Sequence, residues 1–137
     1  MKTRDAKAIA RVLAGIRINK IADREVKQTL INDYLYLRRI VKKFDEDWQE
    51  IVAKFQRDWA EEIPVVDRLR KEGKPLDGHE AYVRAERDAS DMRQALESTE
   101  VETLIKSVPM DAFVEALGND GLTFEELAIL EDGGVLE

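Results

Sequence analysis

The chain has 137 residues, 44% hydrophobic and 37% charged, with 22 Lys and Arg against 29 Asp and Glu, a single His and no Cys. Such a length suits one domain able to bury roughly 68% of the surface its unfolded form exposes, and a charged share above the roughly 25% of an average domain, with few Gly and Pro, favours long solvated helices. The absence of cysteine excludes disulfides, thiolate nucleophiles and Cys-based zinc or iron–sulfur sites, and no apolar run approaches the roughly 18 residues a membrane span requires.

Lys7 and Arg11 interrupt the N-terminal stretch where a secretion signal needs an unbroken apolar core, so a soluble, cytoplasmic protein is expected. The net charge of −7 is unevenly spread: residues 1–43 carry 12 basic against 4 acidic side chains, whereas residues 97–137 carry one Lys against 11 acids. The molecule is polarised from a basic start to an acidic end.

From Thr3, a candidate N-cap, apolar residues recur at Ile9, Val12, Leu13 and Ile16 with helical spacing. After a break near Asn19 to Asp23, with Asp23 as a second candidate N-cap, the longest periodic segment runs from Val26 to about Trp59. It carries two interleaved series spaced by seven: Leu30, Leu37, Phe44, Ile51 and Tyr34, Val41, Trp48, Phe55. That is a coiled-coil-like seam, and it predicts a partner helix, from the same chain or a second copy. At about 1.5 Å per residue the segment would span about 51 Å, longer than a compact globule of this size, so an elongated form is expected.

Residues 60–78 hold Pro64, Gly73, Pro75 and Gly78 and read as the linker where the chain reverses, with a short helix from Pro64 packing Val65, Val66 and Leu69. From His79 a second seam, Tyr82, Ala85, Ala89, Met92 and Leu96, offers an antiparallel partner for the first. Then Val101, Thr103 and Ile105 alternate as a short strand does. A short helix with Met110, Phe113, Val114 and Leu117 on its apolar side follows, and then the loop "GNDG". The expected fold is therefore mainly α: an elongated antiparallel helical hairpin over residues 1–98 with its linker at 60–78, and a small acidic strand-plus-helix subdomain over 99–137 packed on it.

"NDGLTFEEL", residues 119–127, has the look of the second half of an EF-hand loop. With Gly121 at the loop's Gly position, Ala116, Gly118 and Leu127 fall where ligands must stand. With Glu126 as the last ligand, Leu117 falls on a ligand position and Asp120 on the Gly. Neither register binds calcium. Thr123 followed three residues on by Glu126 makes a capping box instead, with Leu122 and Leu127 as a hydrophobic staple, so the stretch starts a helix.

Other chemistry is sparse. His79, the lone histidine, reads as an exposed linker residue without a second ligand. "DED" at 45–47 and Glu50 read as a solvated face, since di-iron bundles combine carboxylates with Glu-x-x-His motifs. Arg24, Lys27, Arg38, Arg39, Lys42 and Lys43 form a basic face that could neutralise phosphates, and Tyr34 and Tyr36 could stack on bases. No Gly-rich phosphate loop, nucleophile elbow or dinucleotide fingerprint is present, so no enzyme, cofactor or metal is expected.

The order of elements, from "AIARVLAGIRINKIADREVKQTLINDYLYLRRIV" through the charged hairpin to "ESTEVETLIKSVPMDAFVEAL" and "GLTFEELAIL", resembles a family of short phage-encoded helical proteins of unknown function. Their genes stand near tail and lysis modules in phages of Gram-positive bacteria. The resemblance implies no catalytic residues. It implies a phage or prophage accessory or assembly protein and nothing finer; the uncovered length of the long helix and the oppositely charged ends point separately to protein–protein contacts, self-association among them. The alternative is a nucleic-acid-associated factor using the basic face of residues 17–43.

Overall fold

A computed structural model describes residues 1–118 and 121–137, and these are mainly helical. The elements in order are α1 (Thr3–Ala14), a 3-10 turn (Ile18–Lys20), α2 (Arg24–Asp58), α3 (Glu62–Lys71), α4 (Glu80–Glu97), α5 (Met110–Leu117) and α6 (Phe124–Asp132). No described helix is long and apolar enough to cross a membrane.

Two helix starts follow the sequence signals. The Asp23 carboxylate accepts from the backbone N–H groups of Glu25 and Val26 at 3.0 and 3.1 Å, satisfying donors that the first turn of α2 leaves without partners. Thr123 and Glu126 close a full capping box on α6: the Thr123 hydroxyl accepts from Glu126 N at 3.2 Å, and the Glu126 carboxylate accepts from Thr123 N at 3.0 Å. Asn119 and Asp120 of "NDGLTFEEL" and of the expected "GNDG" loop lie outside the described residues.

Thr3 differs from expectation. Lys2 stands at the N-cap of α1, and Thr3 is buried inside the helix. Its hydroxyl donates to the Thr99 carbonyl at 3.0 Å and its N–H donates to the same oxygen at 2.9 Å. A long-range acceptor outcompetes local capping there.

The chain forms two compact units. The first joins Met1–Lys43 with Ser98–Glu137, and the second is Phe44–Glu97. The division expected from sequence kept residues 1–98 together, whereas the boundary falls within α2, because residues 98–137 share one core with α1 and the first half of α2. That core is built on Ile9, Leu13, Leu37, Phe113 and Leu130, among other buried side chains. Gly133 lets α1 and α6 approach: a Cβ there would stand 2.2 Å from Ile9 Cδ1.

The strand expected at Val101, Thr103 and Ile105 does not form. Residues 99–108 run without regular structure, touched only by isolated bridges, Lys2 with Glu100 and Val108 with Leu136. Side chains of α2 replace a neighbouring strand: the Asp33 carboxylate accepts from Lys106 N at 2.9 Å, and the Tyr36 hydroxyl donates to the Glu102 carbonyl. The backbone polar groups are met one at a time, so no ladder develops. Val101 and Ile105 are half-buried and Thr103 is exposed.

In the second unit, α3 begins at Glu62, ahead of Pro64, and buries Val66. Tyr82 of α4 is buried, with Phe55 and Trp59 rings 5.4 and 5.8 Å from its own. Met92, expected on the inner seam, is exposed instead. At 3.6 residues per turn it sits at the edge of a covered stripe that runs through Tyr82, Glu86, Ala89 and Arg93.

Candidate functional site

All six basic residues singled out by sequence, Arg24, Lys27, Arg38, Arg39, Lys42 and Lys43, lie on α2. Five are exposed and Lys27 is half-covered. Positions 27, 31, 35, 38 and 42 follow helical spacing, so Lys27, Arg38 and Lys42 share a face with Ile31 and with Leu35, which is 44% exposed. This face continues into a groove of about 200 Å³ between the end of α1, the 3-10 turn and α2. Its walls are Leu13, Ala14, Ile16, Ile18, Leu30, Ile31, Tyr34 and Leu35. Arg17, exposed, follows directly on Ile16. The result is an apolar recess with cations on its flanks.

The seam behaves differently. Leu30, Leu37 and Phe44 are buried, and Tyr34, Val41, Trp48, Ile51 and Phe55 are half-buried. None of the eight is exposed, and Tyr34 and Val41 pack against the core of the first unit. Of the two tyrosines, Tyr34 packs against the core and the hydroxyl of Tyr36 is engaged by Glu102. Both tyrosines are half-buried.

A second feature was not singled out in the sequence. Phe124 is 92% exposed, the most open large apolar side chain described. It occupies the first position of α6, held there by the Thr123 cap, and shares a helix face with exposed Ala128 and Glu131. Glu125 and Asp132 are also exposed, and α6 contains no basic residue. The legible signal was positional: Leu122 and Leu127, the staple pair expected from sequence, are both packed against the core, while the residue after the cap faces outward.

Asp33 is the one side-chain group with a buried oxygen, Oδ2, that has no hydrogen-bond partner among the described residues. Burial raises its pKa above the ordinary value, and the bond from Lys106 N opposes that shift. His79, expected as an exposed linker residue, is half-buried, and its Nδ1 stands 3.2 Å from Glu62 Oε2. Arg70 donates to both oxygens of Glu86, at 2.9 and 2.6 Å. That pairing, with a smaller contribution from the nearby Tyr82 hydroxyl, holds the Glu86 pKa below its ordinary value. Arg93 lies 4.9 Å from the Trp48 ring centre and 5.5 Å from that of Phe44. These ion pairs and ring contacts lie within the second unit, and apolar periodicity does not find them because each has a charged or histidine member.

Among the described residues, no group of three or more acidic or His side chains could hold a metal ion. Asp45, Glu46 and Glu50 of the acidic run are exposed. Comparison with family models, curated proteins and solved structures finds no match to the chain.

Proposed function

We propose that the protein is a non-enzymatic accessory or assembly factor of phage or prophage type, working in the cytoplasm through helical protein–protein contacts, with self-association the first of them. The observation that carries this reading is the pairing of opposites within one unit: an apolar recess flanked by cations on α1 and α2, and an acidic face bearing Phe124 on α6. Contiguous apolar surface rimmed by charge marks an interaction site. The phage setting rests on the sequence resemblance alone.

The same reading treats residues 44–97 as an antiparallel, coiled-coil-like hairpin. Phe44 and Trp48 meet Arg93 while Phe55 and Trp59 meet Tyr82, so contacts move back along α4 as they advance along α2. Size-exclusion chromatography with light scattering, at low and at high salt, tests the proposal. A dimer or larger species that dissociates in salt is expected, since exposed charges separated by more than about 10 Å are screened at 0.1 M ionic strength. A monomer at every salt concentration removes self-association.

One observation favours a second reading. Arg24, Arg38, Arg39, Lys42 and Lys43 are all exposed along α2, an arrangement suited to a phosphate backbone. A gel shift at low salt with micromolar protein decides it, and no shift ends it.

A further inference from the structure

The self-association proposed above leaves open which surfaces meet, and the inference here rests on that reading while naming them. We infer that Phe124 of one copy inserts into the Leu13–Ile16–Ile18–Ile31–Leu35 groove of a second copy, with the acids of α6 set against the cations of α2.

Size comes first. Small-molecule pockets run to roughly 300–1,000 Å³, and a recess of about 200 Å³ is instead the scale of one large side chain. An aromatic anchor buries about 150–250 Å² and is the residue type that interface hot spots favour. Phe124, at 92% exposure, has nearly all of that area still to bury. Its position is fixed in advance, because the capping box holds the first turn of α6 and little ordering remains to be done on binding.

Charge then selects the occupant. Glu125, Glu131 and Asp132 accompany Phe124 on exposed α6 positions, while Arg17, Lys27 and Arg38 accompany the groove. Two like surfaces would repel, whereas knob and groove are complementary in sign as well as in shape. Reciprocal insertion closes a two-fold dimer, and one-way insertion continues as a chain of subunits. Either way each contact needs a Phe124 from one copy and an open Leu35 groove from the other.

The test is sedimentation velocity on the full chain across a concentration series, using wild type, Phe124→Ser, Leu35→Glu and an equimolar mixture of the two variants. Both substitutions fall at exposed positions, and circular dichroism matched to wild type verifies the fold. Wild type is expected as a dimer or larger species, each variant alone is expected to associate at least tenfold more weakly, and the mixture is expected to form a dimer and nothing larger. The mixture is decisive because the Leu35→Glu copy retains the knob and the Phe124→Ser copy retains the groove. If the variants associate as wild type does, the contact lies elsewhere: this inference falls and the proposed function stands. Two variants that weaken association without rescuing each other in the mixture also overturn the knob-and-groove pairing. A wild type that is monomeric throughout overturns both the inference and the self-association it rests on.

Discussion

The two units hold a highly charged chain together in different ways. In the unit of Met1–Lys43 and Ser98–Glu137, 15 buried hydrophobic residues among those described form one cluster drawn from α1, α2, α5, α6, the chain end and the connecting residues Ile21 and Val108. In Phe44–Glu97 the buried hydrophobics are Phe44, Val66 and Tyr82, and around them lie half-buried aliphatic side chains, among them Ile51, Ile63 and Leu96, half-buried rings, and charged contacts: Arg93 against Phe44 and Trp48, Arg70 against Glu86. Burial of apolar area supplies most folding free energy, whereas exposed ion pairs contribute little. The second unit should therefore open more readily than the first, although both share α2.

The largest effects test that contrast directly. Phe113→Ala, at a fully buried site, should cost about 3–5 kcal/mol of global stability in denaturant unfolding. Tyr82→Ala should instead act locally: hydrogen exchange should accelerate in α3 and α4 while amides of α1 and α6 keep their protection. If Tyr82→Ala lowers protection equally in α1 and α6, the two units unfold as one and the comparison fails.

Gly133→Ala probes the packing of α1 on α6. The added methyl meets Ile9 side-chain carbons at 2.2 and 2.8 Å, and overpacking of this kind costs about 1–3 kcal/mol in chemical denaturation. A stability equal to wild type would mean that Ile9 repacks freely and that the approach is not tight.

Asp33 gives the first unit a pH dependence of definite sign. Its folded pKa lies above the ordinary 3.8 because burial disfavours the carboxylate. Below the unfolded value both states are protonated and no penalty exists. As pH rises through the folded value, the native state must ionise a buried group and stability falls. Asp33→Asn keeps an oxygen for Lys106 N and removes the titration, so the thermal midpoint of the variant should gain on that of wild type as pH rises above 3.8. Parallel curves would show that the carboxylate is solvated in the native state.

The smallest change expected is Arg93→Ala, about 0.5–1 kcal/mol from a part-exposed cation–π contact. A double-mutant cycle with Trp48→Ala isolates it, and a zero coupling energy would remove the contact from the account of the second unit.

Much of the helical order was legible in the sequence. Asp23 and the Thr123–Glu126 pair mark helix starts because capping is a local event, completed within three residues. Heptad spacing marked the inner face of α2, and none of its eight seam residues is exposed. What failed depended on distant partners. Thr3 lost its capping role to the Thr99 carbonyl 96 residues away, and the alternating Val101–Ile105 stretch met the Met1 carbonyl and a Tyr of α2, with Asp33 of α2 holding the next residue, in place of a strand. Met92 and His79 were misplaced for a related reason: the covered stripe of α4 includes Glu86 and Arg93, whose partners lie on α3 and α2, and His79, just ahead of α4, meets Glu62 of α3, whereas periodicity counts only apolar residues.

The candidate surface divides in the same way. The basic side chains of α2 were read from sequence and are placed together, since helical spacing alone assigns them to that helix. The groove beside them, the exposure of Phe124 and the burial of the Asp33 carboxylate required the fold, because each is a property of what other segments do or do not cover. The sequence by itself determined a mainly helical, cysteine-free, charge-polarised chain with its principal helix starts, all of which arise from composition and from interactions within a few residues. Tertiary structure alone decided that residues 98–137 share a core with α1 and the first half of α2, and which apolar side chains remain open, because burial is set by contacts between residues far apart in the chain.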